Sequence, residues 1–179
     1  MVTSNDLGQI IAGCKRGDAE CFSRLVDAFA GRCYGYFYRL TGDRNLSDDL
    51  LAELFVRLVE KIGSYKGGSF ESWVFRIASN IFHDYLRAKL RQKKMFEAKD
   101  AEPETLEETE ERRSDRTRDK IDKLQKQLDR LDPDTKELIT LRFYSELSFK
   151  DIASMRSEPI GTTLSKLHRG LKKLRELME

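Results

Sequence analysis

The sequence predicts an all-α protein made of two small helical domains joined by a flexible acidic linker. Apolar residues recur every three or four positions along most of the chain, which is the period of an amphipathic helix. Strand signals are scarce, because there is no sustained apolar–polar alternation and no Asn-Gly or Asp-Gly hairpin turn. Charge also changes sign along the chain, and this change sets the predicted domain boundaries.

Two basic blocks flank an acidic one. Residues 1–95 carry 15 Lys and Arg against 11 Asp and Glu, a net charge of +4. Residues 96–119 carry 5 against 10, a net of −5, and residues 120–179 carry 13 against 10, a net of +3. The middle block holds few large apolar residues, so it cannot bury enough surface to offset its chain entropy. We therefore predict domains at 1–95 and 120–179, with 96–119 as a flexible linker that spans about 80 Å when fully extended.

The N-terminal block predicts three helices. The first covers 18–40 and ends where Thr41-Gly42-Asp43 breaks the pattern. Ser47 is the predicted N-cap of the second helix, which runs to about Ile62. Its predicted apolar stripe comprises Leu50, Leu51, Leu54, Phe55, Leu58, Val59 and Ile62. A glycine-rich loop at 63–68 follows, and Ser69 is the predicted cap of a helix that runs to Leu90. The residues predicted to face inward on that helix are Trp73, Val74, Ile77, Ala78, Ile81 and Tyr85.

The C-terminal block contains a helix-turn-helix pattern. Periodicity returns near Ile121, a helix is predicted over 134–144, and shorter helices follow at about 148–156 and 159–177. Ser148 and Asp151 form a predicted capping box, and Pro159 suits the first turn of the last helix. The second helix of such a pair fits the DNA major groove. From position 161 to 175 there are five basic residues and no acid, which favours phosphate contacts, although a basic solvated face on an ordinary three-helix bundle would have the same composition.

The C-terminal motif resembles region 4 of the extracytoplasmic-function sigma factors of bacterial RNA polymerase. The resemblance lies in Leu131-Asp132-Pro133, in Leu147-Ser148-Phe149-Lys150-Asp151-Ile152-Ala153 and in the run from 161 to 169. It implies binding to the −35 promoter element. The candidate residues are Thr162, Leu164, Ser165, Lys166, His168, Arg169, Lys172 and Lys173. Leu164 departs from the family, which usually has Lys there, so it contacts either thymine methyl groups or a protein surface.

The N-terminal block resembles region 2 of the same family. The segment from Ser47 to Phe55 is similar to the helix that docks on the polymerase largest subunit, and its candidate contacts are Asp49, Leu50, Glu53 and Phe55. The same acids would also occur on the solvent-exposed face of an ordinary soluble helix that binds nothing. The segment from Ser69 to Arg87 and the preceding loop are similar to the part that melts and recognises the −10 element. The candidates there are Tyr65, Lys66, Trp73, Arg76, Asn80, Asp84 and Arg87. Trp73 is expected in the core rather than stacked on a base, and Asn80 is expected to contact one.

Other classes of function find less support in the sequence. No P-loop, G-x-S-x-G or H-E-x-x-H motif is present, so we expect no enzyme and no cofactor. Cys14, Cys21 and Cys33 match no zinc spacing and are expected to be buried thiols rather than metal ligands with His83. The sequence has no signal-peptide pattern and no membrane-length apolar run, so a reduced cytoplasmic protein is expected. The expected partners are core polymerase and promoter DNA, with an anti-sigma protein as a further candidate. A stand-alone helix-turn-helix repressor or activator is the alternative, but it leaves residues 47–91 without a role.

Overall fold

The computed structural model describes residues 4–97 and 123–178, and all regular elements in these ranges are helical. The first range contains α1 (Ser4–Lys15), α2 (Ala19–Thr41), α3 (Arg44–Lys61), a 3-10 turn (Ile62–Ser64) and α4 (Phe70–Glu97). The second contains the helical residues 123–128 (α5), α6 (Pro133–Phe143), α7 (Phe149–Met155) and α8 (Ile160–Met178). The all-α prediction is confirmed. Nearly all of the predicted linker, from 98 onwards, lies outside the described residues.

The helix boundaries follow from specific caps, and one predicted cap is wrong. Gly42 ends α2 in the left-handed conformation, with φ of 71°, and its N–H donates to the carbonyl of Tyr38. Asp43 then caps α3 by accepting a hydrogen bond from the N–H of Leu46. Ser47, the predicted cap, lies inside the helix, where it is buried and its hydroxyl donates to the carbonyl of Asp43. The chain re-enters the helix directly after the glycine, so the acid at 43 takes the capping position.

The four N-terminal helices, α1 to α4, enclose a core rich in aromatic rings. Tyr36 and Phe75 are fully buried, with ring centroids 5.6 Å apart in an edge-to-face contact. Trp73 and Tyr85, both predicted to face inward, are only half-buried. Val59 is 54% exposed, so it does not belong to the inward stripe of α3. Helix α4 continues to Glu97, past the predicted end at Leu90, and α1 was not predicted.

The C-terminal helices form a compact helix-turn-helix unit. Asp132 caps α6 by accepting from the N–H of Thr135, and Ser148 caps α7 by accepting from the N–H of Asp151. Pro159 immediately precedes α8, and its carbonyl accepts from Thr162 and Thr163 at 2.9 and 3.1 Å. It therefore stands at the cap rather than in the first helical turn. This arrangement fixes the outer face of α8.

The N-terminal unit (residues 4–97) and the C-terminal unit (residues 123–178) pack against each other in this structure. Helix α2 contacts α6, and α4 contacts α7. The buried apolar residues of the two units belong to one continuous cluster. The structure therefore describes a closed arrangement, in which one face of α2 and one face of α4 contact the C-terminal unit.

Candidate nucleic-acid and polymerase interfaces

The outer face of α8 presents most of the predicted −35 residues. Thr163, Leu167, Gly170 and Leu174 point into the C-terminal core and are buried. The residues between them are exposed: Thr162, Leu164, Ser165, His168, Arg169, Lys172 and Lys173. The buried positions recur every three or four residues, so the helix has one inward and one outward face. The outward face is cationic and free of acids up to Arg175, so it suits a phosphate backbone.

Lys166 differs from the other −35 candidates, because it is half-buried and held by a short ion pair within its own unit. Its Nζ donates to Oε2 of Glu158 at 2.6 Å, and the other oxygen of Glu158 accepts from Thr163 Oγ1 at 2.9 Å. Burial opposes ionisation of Glu158, but these hydrogen bonds hold the pKa of its carboxyl below the usual value. Lys166 therefore positions the start of α8. The turn acid was not among the predicted residues, although its place beside Pro159 in the turn was a signal for it.

Two aliphatic side chains interrupt the polar face at the start of α8. Ile160 is 48% exposed and Leu164 is 43% exposed. They lie one helical turn apart, so they form a small apolar patch beside the basic residues. Leu171, in contrast, packs against the core cluster. Leu164 is thus exposed, and its contact with thymine methyl groups or with protein stays a prediction.

A polar groove between α3 and α4 gathers three of the predicted −10 residues. Asn80, Asp84 and Arg87 line it from α4, and Arg57 and Lys61 line it from α3. Its volume is about 220 Å³. Arg87 pairs with Asp84 at 2.5 Å. The two α3 cations were not predicted, but their spacing of four residues places them on one helix face and was a usable signal.

The loop between the 3-10 turn and α4 is held in place by its own tyrosine and by α1. The hydroxyl of Tyr65 donates to the carbonyl of Gly68 at 2.6 Å, and its ring lies 5.4 Å from that of Trp73. Lys15 Nζ donates to the carbonyl of Tyr65 at 2.6 Å. Gly67 and Gly68 adopt φ of 110° and 93°, which requires glycine. Together with α1 the loop borders an open cavity of about 500 Å³, while Lys66 remains exposed.

Arg76 is separated from the other −10 candidates. It lies on the face of α4 that meets the C-terminal unit, where it donates to the carbonyl of Ser154 on α7 at 3.4 Å. Ser79 and His83 share this face. The predicted −10 residues therefore lie in three places: the groove, the loop beside α1, and the α4 face that meets the C-terminal unit, where Arg76 is still exposed.

The predicted polymerase-binding residues split between surface and core. Asp49 and Glu53 are exposed on α3, and Glu53 pairs with Arg57 at 3.1 Å. Leu50 is only 5% exposed and Phe55 is half-buried, so Leu50 supports the helix from inside and is removed from the contact set. Val56 and Val59 are 58% and 54% exposed beside the acids. The resulting surface combines negative charge with apolar side chains.

The cysteines lie in separate environments. Cys14 and Cys33 are buried, as predicted, while Cys21 is half-buried. Burial raises the pKa of Cys33 to about 12, which keeps it a neutral thiol. Within residues 4–97 and 123–178 there is no group of three or more residues able to hold a metal ion. In the same ranges no helix combines the length and the apolar character needed to cross a bilayer.

Comparison with known proteins accounts for both units. Residues 25–92 match the family model of Sigma-70 region 2, and residues 121–174 match that of Sigma-70, region 4. The ECF RNA polymerase sigma-E factor of Haemophilus influenzae is 31% identical over 181 residues, covering 95% of this chain and 92% of that protein. The ECF RNA polymerase sigma factor SigE of Mycolicibacterium smegmatis is 30% identical over 88% of this chain, which spans 61% of that relative's length.

The fold is also found among solved structures. The sigma factor RpoE of Bartonella quintana, in a structure described as its complex with the anti-sigma factor NepR, has a TM-score of 0.71. It is 22% identical and covers 88% of this chain and 96% of its own.

Proposed function

The chain belongs to the extracytoplasmic-function sigma factors of the sigma-70 family, and from this premise we propose that it directs bacterial core RNA polymerase to promoters by binding two DNA elements. Residues 1–95 bind the polymerase and the −10 element, residues 120–179 bind the −35 element, and 96–119 tether the two. The exposed cationic face of α8 carries the proposal, since it is a helix-turn-helix second helix whose outer side bears cations and hydrogen-bonding groups.

Several candidate residues have roles that their positions support. On α8, Ser165, His168 and Arg169 lie near the start of the helix and reach base edges, while Thr162, Lys172 and Lys173 contact phosphates. In the groove between α3 and α4, Asn80 contacts an unpaired base and the surrounding cations follow the single-stranded backbone. The exposed acids Asp49 and Glu53, with Val56 and Val59, form the polymerase-binding surface.

An inhibitory protein is a further proposed partner. The similar Bartonella structure is described as a complex with an anti-sigma factor. The apolar patch of Ile160 and Leu164 beside the basic face of α8 supports protein binding at that surface, because exposed apolar patches mark contact sites. Binding there would compete directly with −35 DNA.

Transcription in vitro with bacterial core polymerase tests the proposal. We expect promoter-specific transcripts only when the chain is added, and Arg169→Ala should reduce output from a −35-dependent promoter about tenfold or more, in line with one lost base contact. Arg175→Ala is the matched control, because it removes the same charge from the same helix at a different angle. Failure of the wild-type chain to redirect transcript starts would refute the proposal, while equal output from the two variants would remove Arg169 from base recognition.

A further inference from the structure

The contact between the two units is organised around one buried acid, Glu137 of α6. Its side chain is 2% exposed, yet all three of its close hydrogen-bond donors belong to the N-terminal unit. Tyr36 donates from its hydroxyl at 2.8 Å and Ser79 from its hydroxyl at 2.6 Å. The Nε2 of His83 lies 2.9 Å from the second carboxylate oxygen. From its own unit, Glu137 has Arg156 at 3.7 Å.

The neighbouring residue, Lys136, also points across the contact. Its Nζ donates to the carbonyl of Leu40 at 2.8 Å, in the last turn of α2, where the helix dipole favours a cation. Lys136 also pairs with Asp129 of its own unit at 2.6 Å. Two adjacent charged residues of α6 are therefore withdrawn from water by the N-terminal unit. A buried charge is tolerated only while it is paired and hydrogen-bonded, so their burial is specific to the closed arrangement.

The contact excludes simultaneous binding to two promoter elements. As one compact body, residues 4–97 and 123–178 have a radius of gyration of about 15 Å and hence a diameter of about 40 Å. Two DNA elements about two helical turns apart lie about 70 Å from each other. The closed arrangement also engages Arg76 with α7. The two units must therefore separate before both elements are bound.

We propose that Glu137, together with Tyr36, Ser79 and His83, forms a latch that holds the chain in a closed resting state, which competes with polymerase and promoter binding. Every donor of the latch is provided by the N-terminal unit, so opening leaves each unit with its own helices intact but transfers Glu137 to water. The interface also retains imperfect pairing, since Arg32 Nε and Ser145 Oγ are buried there without a protein partner among the described residues. Such a contact can open, because water then hydrates Glu137, Arg32 and Ser145 and offsets part of the hydrogen-bond energy that is lost. The competitive part of the proposal depends on the proposed function, whereas the latch itself does not.

Small-angle X-ray scattering of the full chain tests the latch. Glu137→Gln changes the latch in the C-terminal unit, and His83→Ala changes it in the N-terminal unit. Glu176→Gln is the control, because it neutralises an exposed acid of the C-terminal unit. We expect the radius of gyration to increase by several ångströms in the two latch variants and to stay at the wild-type value in the control, with helical content unchanged by circular dichroism. A wild-type radius equal to that of both latch variants would overturn the latch. Agreement between variants on the two sides also excludes local unfolding of either unit as the cause.

Binding to core polymerase and promoter DNA tests the competition. When only the open form of the chain binds, the apparent affinity is proportional to the fraction of molecules that are open. If a latch variant increases this open fraction tenfold, it should bind about tenfold more tightly than the wild type. Opened variants that bind no more tightly than the wild type would overturn the competitive role. If neither the wild type nor any variant binds polymerase, the proposed function and the competition both fail, while the scattering result still decides the latch.

Discussion

Gly170 of α8 lies against Thr135 of α6, so close that a Cβ at position 170 would be 2.6 Å from Cγ2 of Thr135. That distance is shorter than side-chain carbons adopt, and the nearby Ile139 limits any lateral movement. Gly170→Ala should therefore destabilise the protein by about 1–3 kcal/mol through overpacking, in spite of the better helix propensity of alanine. Urea denaturation measures the change.

Gly161→Ala is the control, because nothing lies within 4 Å of a Cβ built at Gly161 in the same helix. It should be neutral or stabilising by up to about 1 kcal/mol. A Gly170→Ala variant as stable as the control would show that α6 and α8 separate easily.

The acids on the outer side of α3 should be needed for binding to core polymerase. Charge reversal at Asp49 and Glu53 places two cations on the surface that carries Val56 and Val59. The attraction of these acids to the polymerase is then replaced by repulsion, so we expect at least tenfold weaker association. Stability should hardly change, because the Glu53–Arg57 pair that is lost is exposed on both sides. A pull-down with core polymerase measures the effect. Asp27→Lys on α2 is the control, and wild-type recovery of the double variant would move the polymerase contact elsewhere.

Asn80 should act after polymerase binding, at the step where DNA strands separate. Its amide is exposed in the groove between α3 and α4, surrounded by Arg57, Lys61 and Arg87. Asn80→Ala should reduce open-complex formation several-fold and leave association with the core unchanged, because only the base contact is lost. Permanganate footprinting of unpaired thymines measures this. Gln92→Ala removes the same kind of group from an exposed site farther along α4, and equal footprints from the two variants would exclude Asn80 from base recognition.

The sequence predicted much of these surfaces because a helix has a regular period. Leu167 and Leu174 lie seven positions apart on the inner face of α8, and the helical period places Arg169 outside that face, where it is exposed. The cap of α3 was missed because Asp43 and Ser47 are both good caps, and only the left-handed Gly42 decides between them. The latch was not predicted at all. Glu137 is separated from Tyr36 by 101 positions, and periodicity carries no information about which face of one helix meets another over such a distance.

The latch should respond to pH, with His83 setting the response on the alkaline side. The hydrogen bond to Glu137 raises the pKa of His83 above its usual 6.5, although partial burial and the nearby Arg156 and Arg87 act in the opposite direction. Burial acts against ionisation of Glu137, but its donors His83, Ser79 and Tyr36 hold its pKa below the usual 4.5. Tyr36 stays protonated, because burial and the adjacent carboxylate raise its pKa well above 10. The titrating pair is therefore a histidinium and a carboxylate.

The signs of the two shifts define a pH window for the closed arrangement. A raised histidine pKa stabilises the contact fully below 6.5, and this contribution is lost as pH rises through the higher pKa of the closed form. A lowered glutamate pKa stabilises it above 4.5, and that contribution is lost as pH falls through the lower value. The radius of gyration should therefore be smallest between about pH 5 and pH 6 and should increase towards pH 8.5. His83→Gln retains a polar side chain but has no proton to lose in this range, so its radius should be independent of pH from 5.5 to 8.5. An equal alkaline expansion in this variant would assign the response to another group.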